Sequence, residues 1–254
     1  MSTGAGRSEL IRELVDVSRR LYARGLVAAT DGNVTARLEN GTFLSTRSSL
    51  NKGMATPEDI LEVSALGEPI DSRLKPSTEL GMHLFIYSER PDVGAVVHAH
   101  PPYATAFAVA GLGMPECVFP EVVVGLGAIP LARYATPSTP EVAASLAPFV
   151  KSATAVLLEN HGVVTYGRDL YDAYFKMEKV EHAAHILLLA RFLGGENRLT
   201  TAQMENLRAV SQEAYGRMIL PENACTPGSP AVEHIIEQAS DDAILSAIRH
   251  MINK

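Results

Sequence analysis

Two apolar runs, each delivering histidine to its end, constrain this chain more than any other feature. The first is Ala95-Val96-Val97-His98-Ala99-His100-Pro101-Pro102. The second is Ala155-Val156-Leu157-Leu158-Glu159-Asn160-His161-Gly162-Val163-Val164. Short apolar stretches bounded by proline or by an Asn-His-Gly turn read as strands buried in a sheet. Alternate residues on a strand point the same way, so His98 and His100 present both imidazoles at the mouth of that sheet. Neutral imidazole is a ligand for divalent transition metals, and His161 supplies a third at the end of its own run. Three histidines with a coordination position left open make a catalytic metal layout, not a closed structural one.

Lys75-Pro76-Ser77-Thr78-Glu79 sets two hydroxyls and a carboxylate at a helix start. Hydroxyls beside free backbone N–H groups suit an anion such as phosphate. The polar stretch Thr46-Arg47-Ser48-Ser49-Leu50-Asn51-Lys52-Gly53 reads either as a solvated turn or as a second anion-contacting loop. The formal net charge is −7 with no basic stretch, which argues against nucleic acid as a partner. A chain this acidic must hold an anionic substrate with local donors and not with its overall field.

Helix and strand alternate along the rest, which makes the class α/β and by itself leans towards a parallel sheet. Helices are predicted over 8–25, 79–87, 102–110, 140–150, 169–193 and 203–218, with a weaker helical tail over 232–251 after a loop at 221–230. Ser77 or Thr78 caps the second of them, with Leu80, Phe85 and Ile86 inward. Leu170, Ala173, Tyr174, Met177, Val180, Ala184, Leu187 and Leu188 give the longest helix its apolar face. Strands are predicted over 34–38 and 42–45 around the Asn40-Gly41 hairpin signal, then 60–64, 93–98, 155–158 and 163–166, with 122–126 and 129–131 as further candidates. His83, four residues after Glu79, reads as a structural or surface histidine. His182 and His185, with Glu178 and Glu181 nearby, read as a solvated or inter-subunit face.

With 254 residues, 46% of them hydrophobic, the chain can bury one sizeable core as a single domain, with the core over about 8–194 and a helical tail over 195–254. Cys117 and Cys225 form no CxxC pair, which fits a reduced, cytoplasmic compartment. Cys117 has no base at close spacing and reads as a buried or interface residue, not a nucleophile. The first residues lack the apolar core of a signal peptide, and no apolar run approaches the roughly 20 residues of a membrane helix.

Taken in order, Thr30-x-Gly32-Asn33, Thr46-x-Ser48, Lys75-Pro76-Ser77-Thr78-Glu79, His98-Ala99-His100-Pro101, Tyr134-Ala135-Thr136 and Asn160-His161-Gly162 make a set whose separations are specific. From about Ser8 to Gly194 the chain resembles the class II aldolase/adducin family, which includes L-fuculose-1-phosphate aldolase and L-ribulose-5-phosphate 4-epimerase. The resemblance implies a three-layer α/β fold with a central, mostly antiparallel sheet between helices. It also implies a homotetramer with active sites between subunits.

Position by position, the resemblance makes His98, His100 and His161 zinc ligands; manganese or cobalt also suits such a set. Glu79 becomes the general base, or a further metal ligand when substrate is absent. Thr30, Asn33, Ser48, Ser77 and Thr78 become the phosphate contacts. The implied reaction is cleavage of a ketose 1-phosphate to dihydroxyacetone phosphate and an aldehyde through a metal-stabilised enediolate. Glu79 favours this over the 4-epimerase, whose pattern has aspartate there.

The chain departs from the pattern at two places. Phe119 stands where the aldolase has a proton-donating tyrosine, and phenylalanine cannot donate; Glu121 is a conceivable substitute, or simply a surface carboxylate. Thr46-Arg47-Ser48-Ser49 replaces a Thr-Pro-Ser/Thr-Gly segment, and Arg47 could add a bidentate contact to phosphate or carboxylate. A metal-dependent decarboxylase of the same family is therefore the alternative, since it need not protonate an alkoxide. A non-catalytic adducin-like module would lack the histidines present here.

Overall fold

The structure, a computed structural model, describes residues 4–70, 73–114 and 117–215. Helix α1 (Gly4–Ala23) leads into the hairpin of β1 (Asn33–Arg37) and β2 (Phe43–Thr46), then β3 (Ile60–Val63) and β4 (Pro69–Ile70). There follow α2 (Leu80–Glu89), β5 (Ala95–Ala99), α3 (Pro102–Val109), α4 (Pro120–Gly125), β6 (Leu131–Ala132) and α5 (Pro140–Leu146). The described chain ends with β7 (Ala155–Leu158), β8 (Gly162–Gly167), α6 (Leu170–Phe192) and α7 (Thr201–Tyr215).

The strands form one eight-stranded sheet in the order β4-β3-β2-β1-β5-β8-β7-β6. Every pairing is antiparallel except β6 with β7. The lean towards a parallel sheet is thus overturned. Its physical reason lies in the connections: β1–β2 and β7–β8 are joined by turns too short for a parallel crossover.

Strands β5, β7 and β8 are buried at every position, because helices cover both faces. Ala95, Val97, Ala99, Leu157 and Val163 pack in the core shared with Leu14 and Leu21 of α1, Phe107 of α3 and Met177 of α6. Val96, Val156, Leu158, Val164 and Tyr166 face the other way, into a core with Leu80 and Ile86 of α2 and Val142 and Leu146 of α5. The period-two alternation of each strand therefore sorts its residues between two hydrophobic layers.

Several boundaries move. Residues 122–126, predicted as strand from their valines, form the last residues of helix α4 and its C-cap, Leu126. Pro120 sits in its first turn, and the N–H groups of Val122 and Val123 bond the Phe119 carbonyl. The valines still bury themselves, but against helices α6 and α7, and that packing overrides β-propensity. The 129–131 candidate shifts to Leu131–Ala132: Pro130 has no N–H for the ladder and contributes only its carbonyl, which accepts from Leu157 N. The 140–150 helix ends at Leu146, and β4 was not expected.

The predicted loop at 221–230 and helical tail at 232–251 lie outside the described residues. Cys117 is buried and is not a free thiol, which corrects the reading of reduced cysteines at that residue. Among the described residues, no helix is long and apolar enough to cross a membrane.

Candidate metal centre

The register of β5 on β8 builds the site. His98 lies opposite Val164 and Ala99 opposite Val163, so the C-terminal end of β5 meets the start of β8. The β7–β8 turn places His161 there, with Asn160 in the left-handed region at φ 56°, a conformation asparagine tolerates better than most residues. The three imidazoles face one another, with ring centroids 5.0, 4.7 and 5.1 Å apart. One ring nitrogen from each lies within 4.8 Å of the other two.

The side chains around the rings orient them. His98 is fully buried, and its Nδ1 lies 3.0 Å from the Val163 carbonyl. A carbonyl only accepts, so the proton sits on Nδ1 and the Nε2 lone pair faces the cluster. His100 Nε2 lies 3.2 Å from His98 Nε2, while its Nδ1 faces Asp31 Oδ2 at 3.6 Å. Carboxylates and carbonyls behind ligating imidazoles are the usual supporting groups of metal sites. Burial pushes His98 down to about 3, and the neighbouring rings add to it. It lowers His100 as well. His98 and His100 are thus disposed to be neutral, and the nitrogens of the three rings crowd together, a donor set that fits a divalent cation.

Glu79 closes the fourth side. Its Oε1 is 3.1 Å from His161 Nε2 and its Oε2 3.5 Å from His98 Nε2, and Asn33 Nδ2 donates to Oε2 at 2.9 Å. Burial alone would raise the Glu79 carboxyl, but the His161 hydrogen bond and the facing imidazoles outweigh it and hold the group well below the usual carboxylate range. Glu79 is itself the N-cap of α2, which corrects the assignment of that cap to Ser77 or Thr78. The Ser77 hydroxyl accepts from Glu79 N at 3.3 Å, and Thr78 Oγ1 accepts from Ser138 at 2.8 Å.

Two glycines permit this closeness. A Cβ on Gly162 would lie 2.6 Å from both the Ala99 carbonyl and His100 Cδ2. One on Gly32, at φ +73°, would lie 2.7 Å from the His98 carbonyl.

The anion-contacting candidates gather around Glu79 in part. Ser48 N donates to the Lys75 carbonyl, and Arg47 bridges Pro76, which sets Ser48 beside the 75–79 segment. Asn33 is buried and joined to Glu79, and its Oδ1 has no partner among the described residues. Thr30 is exposed and enters through its carbonyl, which accepts from Lys52. Arg47 does not reach outward. Its Nε bonds Asp59 at 2.7 Å and its Nη1 bonds the Ser48 carbonyl at 3.1 Å.

Glu121 is exposed on the first turn of α4; among the described residues, no hydrogen bond or ion pair joins its carboxylate to the histidines. Phe119 stands 6.5 Å from the His182 ring. A cavity of about 330 Å³ opens beside the site, lined by Thr78, Glu79 and Met82 on one side and Ser138, Thr139, Pro140 and Val142 on the other. His83 proves fully buried and bonded to Thr35, so its surface alternative falls. His182 is exposed, whereas His185 stacks on Tyr103 with centroids 3.9 Å apart.

Sequence reasoning missed Asp31, Lys52 and Ser138. Their partners are groups from distant segments, and no local pattern marks such contacts.

The family model for the class II aldolase and adducin N-terminal domain matches residues 12–188. The chain belongs to this family. It is similar to 5-deoxy-D-ribulose 1-phosphate aldolase from Bacillus thuringiensis serovar kurstaki, with 32% identity over 81% of this chain and 96% of that protein. It is also similar to 3-oxo-tetronate 4-phosphate decarboxylase from Cupriavidus necator, with 33% identity over 70% of this chain and 83% of that one. Among solved structures, L-fuculose-1-phosphate aldolase from Thermus thermophilus superposes with a TM-score of 0.67 at 32% identity, covering 76% of this chain and 100% of that one.

The packing of the centre makes its metal affinity and its stability testable. Gly162→Ala forces His100 or the Ala99 carbonyl to move and weakens metal affinity by at least about tenfold; competitive chelator titration measures it. His98 and His100 are lowered from an ordinary value of 6.5, so below that pH the unfolded chain binds protons that the folded chain refuses. The metal-free protein therefore loses stability as pH falls from about 6.5. Thermal melts of chelator-treated protein from about pH 7.5 to about pH 4.5 test this.

Proposed function

We propose that this protein is a divalent-metal-dependent aldolase that cleaves a ketose 1-phosphate into dihydroxyacetone phosphate and an aldehyde. The observation that carries the reading is the convergence of three imidazole nitrogens within 4.8 Å, with the Glu79 carboxylate against two of those rings. His98, His100 and His161 would hold the ion, with Glu79 joining them when no substrate is bound. Zinc suits this set, as do manganese and cobalt. Bound there, a divalent ion supplies a Lewis acid for a substrate carbonyl oxygen.

The chain's own residues do the rest. Glu79 moves the proton at the nucleophilic carbon, and Asn33 Nδ2 steadies it for that task. The hydroxyls of Ser48, Ser77 and Thr78, with Thr30 and Asn33, hold the phosphate at a distance from the breaking bond and thereby orient it. The substrate is a small phosphorylated sugar. The protein works as a cytoplasmic homotetramer, a single family domain with its tail, whose active sites lie between subunits.

One observation favours a second reading, a decarboxylase acting next to a carbonyl. Phe119 cannot protonate an alkoxide, and a relative at 33% identity is named a decarboxylase. Arg47, a further candidate for holding a carboxylate in this reading, bonds Asp59 through its Nε.

Product analysis by NMR distinguishes the two. Metal-loaded protein is expected to release dihydroxyacetone phosphate from a ketose 1-phosphate, and chelator to stop it. Carbon dioxide from a β-keto acid phosphate, with no cleavage of any ketose, selects the decarboxylase instead. Glu79→Gln is expected to lower kcat by about 10²- to 10⁴-fold while the three imidazoles retain metal, as measured by metal content.

A further inference from the structure

Lys52 is the anomaly in the site's surroundings. Its side chain is 1% exposed, yet its ammonium has no carboxylate partner among the described residues. Nζ donates to the Thr30 carbonyl at 3.0 Å and to the Leu50 carbonyl at 2.9 Å. These are its only acceptors among the described residues, so one of its three N–H donors has none. Burying an ammonium with no carboxylate in contact is costly, even with Asp31 and Glu79 acting on it at longer range.

The two carbonyls locate the purpose. Thr30 belongs to the turn that carries Asn33, and Leu50 follows Ser48 and Ser49, so one ammonium ties together the two loops read as anion-contacting. Two carbonyls alone would be satisfied by a neutral donor. The charge answers a different need: every side chain assigned to the phosphate is neutral, and Arg47, the nearby cation that could have served, is spent on Asp59. The charged groups facing Lys52 are Asp31 and Glu79, which favour its protonation, and Arg47, which opposes it.

We propose that Lys52 is the positioning cation of the anion site, holding the 28–33 and 46–53 loops together and supplying from beneath them the counter-charge for a dianionic phosphate monoester. The inference rests on the phosphate-binding reading above and adds a residue and a charge to it. Lys52 acts through Thr30 and the 48–50 backbone, not by touching substrate.

The test is calorimetric titration of metal-loaded full-length protein with sn-glycerol 3-phosphate, a phosphate monoester with no carbonyl to cleave. For Lys52→Met the dissociation constant rises at least about tenfold, and KM for a cleaved substrate rises more than kcat falls, at unchanged metal content. Burial pushes Lys52 down to about 8, so the wild-type affinity falls by roughly tenfold per pH unit above that point, and the fall is absent from Lys52→Met. Should that variant fail to fold, the wild-type pH series decides: affinity that stays flat to about pH 9.5 overturns the role. Equal affinity in wild type and variant overturns it too, and leaves the phosphate reading standing. Failure of wild-type protein to bind the phosphate ester at any pH overturns both.

Discussion

The pairing of β5 with β8 is the constraint on which everything else rests. It lies in the middle of the sheet, with β1 on one side and β7 on the other, and both strands are buried throughout. In an antiparallel ladder a shift of one residue turns every side chain to the opposite face. The register that sends Val97 and Val163 into one core and Val96 and Val164 into the other is therefore fixed by hydrophobic burial on two sides. That same register fixes where His98 and His100 end and where His161 begins. The convergence of the three imidazoles is in this sense inherited from the core, since two of them lie on or beside strands buried throughout.

What the ladder cannot do is bring three nitrogens and a carboxylate together without crowding, and the chain accommodates this in two ways. Gly162 and Gly32 remove side-chain atoms where the β8 start and the Asp31–Asn33 turn press on β5. The polar atoms around the rings fix the tautomers: the Val163 carbonyl takes the His98 Nδ1 proton, and Asp31 faces His100 Nδ1. The ring nitrogens left over all point inward. The low proton affinity of Glu79 belongs to this metal-free arrangement, because the nitrogens that hold it are the ones an ion would take. A cation on the histidines would take the place of the His161 N–H that donates to the carboxylate and leave Asn33 as its main hydrogen-bond donor.

Much of this was legible in the sequence, and the reason is physical. Apolar runs that end in histidine announce both a buried strand and a polar group at its mouth, so β5, β7 and β8 and the three imidazoles could be read together. The hairpin at Asn40-Gly41 and the Asp169 cap of α6 are likewise local signals. Residues 122–126 misled because valine-rich stretches carry strand propensity, and only contacts with α6 and α7 make them a helix. The α2 cap misled for a related reason: Ser77 and Thr78 have the chemistry of cap residues, but one bonds Glu79 N and the other takes a bond from Ser138, across 60 residues. The Arg47–Asp59 pair was not legible because Asp59, twelve residues on, gives no sign in the sequence that it will bond the guanidinium Nε.

Lys52 shows what kind of residue escapes a pattern. In the sequence it is one polar residue in a polar loop, and nothing separates it from Asn51 or Ser49. In the folded chain it is buried against α1 and the loops of the site, where Gly53 lets the Tyr22 ring approach to within 3.0 Å of a would-be Cβ. A solvated lysine and a desolvated one differ only in what the rest of the molecule lays over them. The charge that an acidic protein needs beside an anionic substrate cannot come from its overall field, which has the wrong sign. It has to be a local cation, and burial lets its charge act on the loops above it with little screening. That requirement can be stated from composition alone, but the residue that meets it becomes visible only when the fold has closed over it.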